Sequence, residues 1–294
     1  MLSEHKIKAV ENIALDTLSG SKALGIFPTP VDKILAYANL KVSSGVDLSK
    51  INNSFFNKAD MQVRRGMIKL RGVLDRKEKT VYLDLTQLGV RKTFVKLHEA
   101  GHELCPWQEK LQNCLDDDET LDPDINELFE AEANLFASAS LFQLGIFSDK
   151  MAELPLEMNS AILLSKTFGA SVHSTLRRYV EKNPKRCALL VLKKDEDKTF
   201  NLPKLYVRNS FQSNSFTKDW GTIAWGSELG IEVPFVLDYL IGRKHYKSEI
   251  QILSQDMKSV DCNYYYFDNT YNIFVLIVPK GEMIRSKTNI YLKV

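Results

Sequence analysis

The sequence contains no long apolar run. No segment approaches the roughly 18 uninterrupted apolar residues that a membrane-spanning helix needs, so we expect no membrane partner. Residues 1–20 mix charges of both signs with apolar residues, and they lack the basic segment followed by an apolar stretch that is typical of a secretory signal. We therefore expect a cytoplasmic protein.

The chain also has little net charge and few cysteines. Its 39 basic residues nearly balance 37 acidic ones, which predicts no broad basic face, so direct nucleic-acid binding is not expected. The cysteines at positions 105, 114, 187 and 262 are too few and too scattered for a disulfide-stapled fold. Reduced thiols are the expected state.

The chain changes from a helical to a strand-like sequence pattern along its length. Its 294 residues exceed what one hydrophobic core usually organises, and helical periodicity gives way to strand-like segments after Pro184. We predict an α+β protein with two domains, residues 1–183, helical with a small antiparallel sheet, and residues 184–294, rich in strands. The predicted helices are residues 3–17, 31–39, 91–104, 125–145, 152–168 and 171–182. The predicted strands are residues 67–70, 72–75, 80–85, 188–192, 204–207, 264–267, 272–278 and 290–293.

The predicted helix at 91–104 carries a His-Glu-x-x-His motif. His98 and His102 are one helical turn apart, so both imidazoles project from the same face, where one tetrahedral zinc ion can bind them. Glu99 lies beside that face and can take a proton from a water on the metal. With 5 histidines in 294 residues, a random chain contains this pattern about 0.005 times, which favours a function over two unrelated helix histidines.

A catalytic zinc site needs a third protein ligand, and Glu130 on the next predicted helix is our candidate. Asn134 shares the face of Glu130 and could support a ligand histidine by a hydrogen bond. Glu132 points about 200° away from Glu130 around the helix, so only one of the two can face the metal. Glu127 is the weaker candidate, because the helix dipole also favours a carboxylate at that helix start.

Two other ligand sets are weighed against this one. Cys105 and Cys114 lie near the motif and could bind metal as thiolates, but two histidines and a carboxylate already complete a catalytic shell. The acidic stretch 116–119 has neither the glycine nor the glutamate that a calcium loop requires at its spacing. We interpret it as a solvated loop.

Residues 91–102 (RKTFVKLHEAGH) and 130–137 (EAEANLFA) together resemble the ImmA/IrrE metallopeptidases. The family pattern is a basic and aromatic lead-in to His-Glu-x-Gly-His, followed by Glu-x-x-Ala-Asn-x-Phe-Ala on the next long helix. The resemblance extends over about residues 21–182. Two features depart from the family: residues 141–145 (LFQLG) replace a common Leu-Leu-Met-Pro segment, and no helix-turn-helix is apparent.

The resemblance implies a zincin-like, zinc-dependent endopeptidase that cleaves a DNA-binding repressor, often one encoded beside it, under stress or in mobile elements. In that mechanism zinc is held by His98, His102 and Glu130, and Glu99 is the general base. The strand-rich part resembles a sensor-like domain that some members append.

Tyr82, His173 and Arg177 are candidate stabilisers of the oxyanion. The aromatic residues Trp220, Trp225 and 264–266 line a pocket or, as is more common at strand spacing, pack in a core. The alternative functions are a non-proteolytic regulator that binds a repressor or DNA stoichiometrically, with structural or absent zinc, and the enzymatic half of a toxin–antitoxin-like pair.

Overall fold

The computed structural model describes residues 2–43, 72–76, 78–83, 89–108, 123–194 and 204–282. Helix makes up 47% and strand 24% of the structure, which confirms the predicted α+β class. The chain forms two compact units, one of residues 1–147 with 166–171 and one of residues 148–165 with 172–294. The predicted domain boundary at residue 183 falls inside the second unit, and the predicted assignment of a peptidase and a regulatory domain stays a prediction.

The first unit combines helices with a small sheet. Its elements in chain order are α1 (Glu4–Gly20), α2 (Val31–Tyr37), β1 (Lys41–Ser43), β2 (Gly72–Asp75), β3 (Thr80–Leu83), α3 (Gly89–Leu104) and α4 (Pro123–Phe142). The sheet has β3 at its centre, antiparallel to β2 and parallel to β1. The predicted antiparallel pairing of residues 72–75 with 80–85 is confirmed for residues 80–83, and residues 84–85 lie outside the described residues. Strand β1 lies in a stretch without a strand prediction. The predicted strand at 67–70 lies outside the described residues.

The packing of α3 against α4 depends on a glycine. A Cβ at Gly101 would lie 3.1 Å from Ala133 Cα and 3.1 Å from the Phe136 side chain, which is closer than ordinary van der Waals contact. A larger residue would therefore require Ala133 or Phe136 to shift by a few tenths of an ångström. Helix α1 begins at an N-cap, where the Ser3 side chain accepts from the backbone N–H of Lys6. It buries one apolar stripe and also packs on α4.

The second unit is built on one antiparallel sheet. Its helices are α5 (Gly145–Ala152) and α6 (Met158–Phe168), each with a few residues in the first unit, then α7 (Val172–Glu181), α8 (Asn214–Trp220) and α9 (Pro234–Leu240). Its strands are β4 (Ala188–Lys194), β5 (Leu205–Gln212), β6 (Glu228–Leu229), β7 (His245–Leu253), β8 (Ser259–Asp268) and β9 (Ile273–Pro279). They are ordered β6-β5-β4-β9-β8-β7.

The central strands β4 and β9 are apolar and almost wholly buried, as expected of strands covered on both faces. One face packs in a core that includes Tyr264, Tyr266, Trp220 and Trp225. The interpretation as core is confirmed for Tyr264 and Tyr266, and Trp220 and Trp225 are partly buried against that core. Tyr265 is not part of it and lines a pocket beside Lys247.

Two sequence predictions were wrong in detail. The helix predicted at 125–145 ends at Phe142, because Gln143 and Leu144 adopt left-handed backbone angles. The helix predicted at 152–168 begins only at Met158, as α6, because a turn that contains Pro155 precedes it, and α5 (Gly145–Ala152) lies almost wholly outside the predicted helices. The predicted strand at 290–293 lies outside the described residues. Among the helices that the structure describes, none is long and apolar enough to cross a membrane.

Candidate metal centre

The two histidines of α3 lie on the buried side of the helix. His98 has 1% of its surface exposed and Glu99 has 5%, and the His98 and His102 rings pack edge to face, 4.7 Å apart. Their Nε2 atoms are 3.0 Å apart. The i, i+4 spacing therefore directs the same atom of both imidazoles to one point.

The carboxylate of Glu130 on α4 meets both imidazoles at that point. Its Oε2 lies 3.4 Å from His98 Nε2 and its Oε1 lies 3.3 Å from His102 Nε2. The structure thus brings together the three side chains that were predicted as metal ligands. In the part of the chain that the structure describes, they form a group whose potential ligand atoms all lie within 4.8 Å of one another.

The geometry and donor set of this group fit a metal ion. Two ligand atoms at about 2.0–2.1 Å from a tetrahedral zinc are about 3.3 Å apart, close to the separations of 3.0, 3.3 and 3.4 Å found here. Two imidazole nitrogens and one carboxylate are the donors that catalytic zinc sites use. The cluster could therefore hold a metal ion.

Electrostatic interactions within the cluster shift the pKa of its acidic groups in opposite directions. Burial raises the pKa of Glu99, and the nearby histidines offset only part of this effect. Burial would also raise the pKa of Glu130, but its hydrogen bonds with His102 and His98 outweigh that effect and hold the pKa well below its usual range. Glu130 is thus the carboxylate that stays ionised as a ligand, and Glu99 is the one inclined to accept a proton.

The pKa of His102 is raised. Burial opposes a charge on this ring, but the hydrogen bond with Glu130 and the charge of Glu99 favour it. Protons and a metal cation therefore compete for the same electron pairs in this cluster.

Side chains behind His102 form a hydrogen-bonded chain that was not predicted. His102 Nδ1 lies 2.9 Å from Gln108 Oε1, and Gln108 Nε2 donates to Glu132 Oε2 at 2.8 Å. The same Glu132 oxygen accepts from Trp107 Nε1 at 2.6 Å, and the other lies 3.3 Å from Lys6 Nζ. No periodic pattern marks Gln108 or Trp107, which follow the end of α3, and Lys6 lies on another helix.

The remaining candidates on α4 are separated from the cluster. Glu132 is buried on another side of the helix, as its angular distance from Glu130 predicts, and Glu127 is exposed. The predicted support of a histidine by Asn134 was wrong: Asn134 is exposed, and Gln108 takes the place beside His102 Nδ1. The Nδ1 atom of His98 has no hydrogen-bond partner among the described residues.

The alternative ligand Cys105 is buried and not part of the ligand group, and burial raises the pKa of its thiol to about 12. A neutral thiol is a poor metal ligand. Cys114 and the acidic stretch 116–119 lie outside the described residues.

The candidate oxyanion stabilisers lie on two elements. Tyr82 is half-buried on β3 of the first unit. On α7 of the second unit, the ring of His173 lies 5.9 Å from that of Phe274, and Arg177 pairs with Glu181 at 2.9 Å. Their role in stabilising an oxyanion stays a prediction.

Comparisons with known proteins show a likeness of fold. No family model matches the chain, and no curated protein matches it. A solved structure named Mycobacterium tuberculosis transcriptional regulator is similar, with 13% sequence identity and a TM-score of 0.50, over 92% of this chain and 75% of that chain. At this identity the likeness concerns the fold alone.

Proposed function

We propose that the protein is a zinc-dependent endopeptidase whose substrate is a regulatory protein, namely a DNA-binding repressor of the helix-turn-helix class. The observation that carries the proposal is the convergence of His98 Nε2, His102 Nε2 and the Glu130 carboxylate beside the buried carboxylate of Glu99. The choice of a repressor as substrate comes from the resemblance to the ImmA/IrrE metallopeptidases.

His98, His102 and Glu130 would hold the ion with three protein ligands, the number that catalytic rather than structural zinc sites use. When bound there, zinc would supply Lewis acidity, lowering the pKa of a water molecule and polarising a peptide carbonyl. Glu130 stays ionised to hold the ion, because its pKa is depressed.

Glu99 is the general base of the proposed reaction. It follows His98 directly in the chain, and its charge interacts with both histidines and with Glu130, but it is not one of the grouped ligands. Burial raises its pKa above the usual value, which favours accepting the proton of the attacking water and returning it to the leaving amine.

Glu99→Gln tests the proposal directly. The amide keeps the size of the side chain but cannot accept the proton, so cleavage should fall by about 100- to 10,000-fold, the usual contribution of a general base. Zinc binding should stay close to that of the wild type, because Glu99 is not a ligand. The zinc-loaded protein is incubated with repressors encoded beside its gene, and products are identified by mass spectrometry.

The same assay separates the alternative function. A non-proteolytic regulator would bind a repressor in a stoichiometric complex that leaves both chains intact, with zinc or without it. Cleavage by Glu99→Gln at the wild-type rate would contradict the role of Glu99, and an intact repressor in a stable complex with the zinc-loaded wild type would favour the regulator.

A further inference from the structure

Gln108 connects the metal cluster to Glu132, which in turn contacts Trp107 and Lys6. Gln108 is fully buried. Its Oε1 lies 2.9 Å from His102 Nδ1, and its Nε2 lies 2.8 Å from Glu132 Oε2 and 3.4 Å from the backbone oxygen of Phe129. All polar atoms of this side chain are therefore engaged within the first unit.

These partners leave one orientation for the Gln108 amide. The carbonyl oxygen of Phe129 can only accept a hydrogen bond, and the Glu132 carboxylate already accepts from Trp107 and faces the Lys6 ammonium. The atom of Gln108 on that side must therefore be the NH₂ group. The oxygen then faces His102 and can only accept.

An accepting oxygen beside His102 Nδ1 selects the tautomer of the ring. If Nδ1 carries the proton, it donates to Gln108, and Nε2 keeps its electron pair free. In the opposite tautomer, two electron pairs would face each other across 2.9 Å, a buried and unsatisfied contact. We infer that Gln108 is a positioning residue that holds His102 in the Nδ1–H tautomer and so presents Nε2 to the metal.

The inference rests on the proposed metal centre and assigns its histidines unequal roles. His98 Nδ1 has no partner in the described part of the chain, so its tautomer is not set by such a contact. The orientation at His102 in turn depends on Glu132, which Trp107 and Lys6 hold in place. Lys6 Nζ also lies 4.3 Å above the centre of the Trp107 ring, which ties the arrangement to helix α1.

In the metal-free protein Glu130 competes with Gln108, because its carboxylate can accept a hydrogen bond from His102 Nε2 at 3.3 Å. The tautomer is therefore measured in metal-free variants that carry Glu130→Ala, by ¹⁵N NMR of the histidine rings at a pH where they are neutral. Zinc affinity is measured with Glu130 intact, by competition with a chelator. Gln108→Leu removes the acceptor, so His102 should shift to a mixture of tautomers. Zinc should then bind about 10- to 100-fold more weakly, the usual effect of losing such a supporting contact.

Gln108→Glu is the conservative variant. It keeps an oxygen towards His102, and because two neighbouring buried carboxyl groups share a proton, it also keeps a donor towards Glu132. It should restore the Nδ1–H tautomer and most of the zinc affinity. Lys6→Met, at a half-exposed position, should give a smaller loss in the same direction and provides a variant that folds even where Gln108→Leu does not.

Gln143→Leu is the matched control. Gln143 is 1% exposed, accepts from the Gly25 N–H at 2.7 Å and donates to Ile26 O at 2.9 Å. Its loss should lower stability while leaving the His102 tautomer and the zinc affinity unchanged.

An Nδ1–H tautomer that persists in Gln108→Leu would overturn the inference, as would equal zinc affinity in Gln108→Leu and the wild type. These results do not depend on peptide cleavage. If Gln108→Leu changes the tautomer and the zinc affinity as expected but the wild type cleaves no repressor, the proposed function is contradicted and the role of Gln108 stands.

Discussion

Two polar clusters of this protein, one around the partly exposed Glu130 and one around the buried Asp238, differ in how their charges are matched. In the first unit, Glu130 faces two imidazole nitrogens that can each present an electron pair. In the second unit, Asp238 accepts from Arg243 Nη1 and from Tyr264 Oη, both at 2.6 Å. One carboxylate therefore faces other potential ligands, and the other faces donors that belong to the chain.

The difference indicates what each cluster does. A buried carboxylate needs a cation or several donors to offset the free energy of desolvation. Asp238 receives such hydrogen bonds from Arg243 and Tyr264 of its own unit, so its cluster is complete as a structural element. The Glu130 cluster gathers electron pairs from two helices, and a metal cation would satisfy all of them at once.

The largest effect should come from removing Glu130. At a zinc concentration about 100 times the Kd, the wild type should gain about 2.7 kcal/mol in the free energy of unfolding of the first unit. Glu130→Ala should lose this gain, measured by hydrogen exchange of the α3 and α4 amides with and without zinc. Glu127→Ala, exposed on the same helix, is the control and should keep it. A full zinc response in Glu130→Ala would remove the distinction between the two clusters.

A smaller effect should come from Asp238→Asn. The amide keeps one acceptor but turns an NH₂ group towards Arg243 or the Tyr264 hydroxyl, which should lower the free energy of unfolding of the second unit by about 2 kcal/mol. Zinc affinity should not change. Denaturant unfolding and chelator competition provide the two readouts.

The matched control for Asp238→Asn is Asp219→Asn, in a more exposed pair with Arg186 at 3.1 Å. It should change stability by less than about 0.5 kcal/mol. Equal effects of the two substitutions would show that the Asp238 cluster is not the structural element described here.

The smallest effect concerns acid stability. Burial alone would raise the pKa of Asp268, but its interactions with Lys194 and Lys244 and the Thr270 N–H lower it below the usual value. Because the folded pKa lies below the unfolded one, the stabilisation is complete above the unfolded pKa and is lost as the pH falls through the folded pKa. Asp268→Asn should therefore flatten the acid limb of the stability profile of the second unit, by at most about 1 kcal/mol.

Lys193→Met is the control for this profile, because the exposed Lys193 is adjacent to Lys194 in the sequence but is not among the partners of Asp268 in the described part of the chain. If Asp268→Asn leaves the acid limb of the stability profile unchanged, Lys194 and Lys244 do not stabilise this carboxylate. The contrast with the Glu130 cluster would then depend on Asp238 alone.

The features that could be predicted from the sequence are those set by local periodicity. The spacing of His98 and His102 follows from the helical repeat, and the angle between Glu130 and Glu132 on α4 is a property of any helix. The apolar runs of β4 and β9 likewise predicted strands. Strand β7 was not predicted, although exposed and less exposed residues alternate along it.

Contacts between distant segments could not be predicted. Gly101 gave no signal of its role until Ala133 and Phe136 were found against it. Asn134 had the right spacing along the helix but points to solvent, and Gln108 has no pattern at all.

The sequence by itself determined which residues could serve as ligands and base, because those depend on residue type and on positions along single helices. Only the tertiary structure decided that Glu130 meets both imidazoles, that Gln108 stands behind one of them and that Lys6 supports it through Glu132. Each of these contacts depends on the packing of α1, α3 and α4, and a hydrogen bond requires its atoms to lie within a few tenths of an ångström of the right distance. Such precision arises only when separate helices pack together.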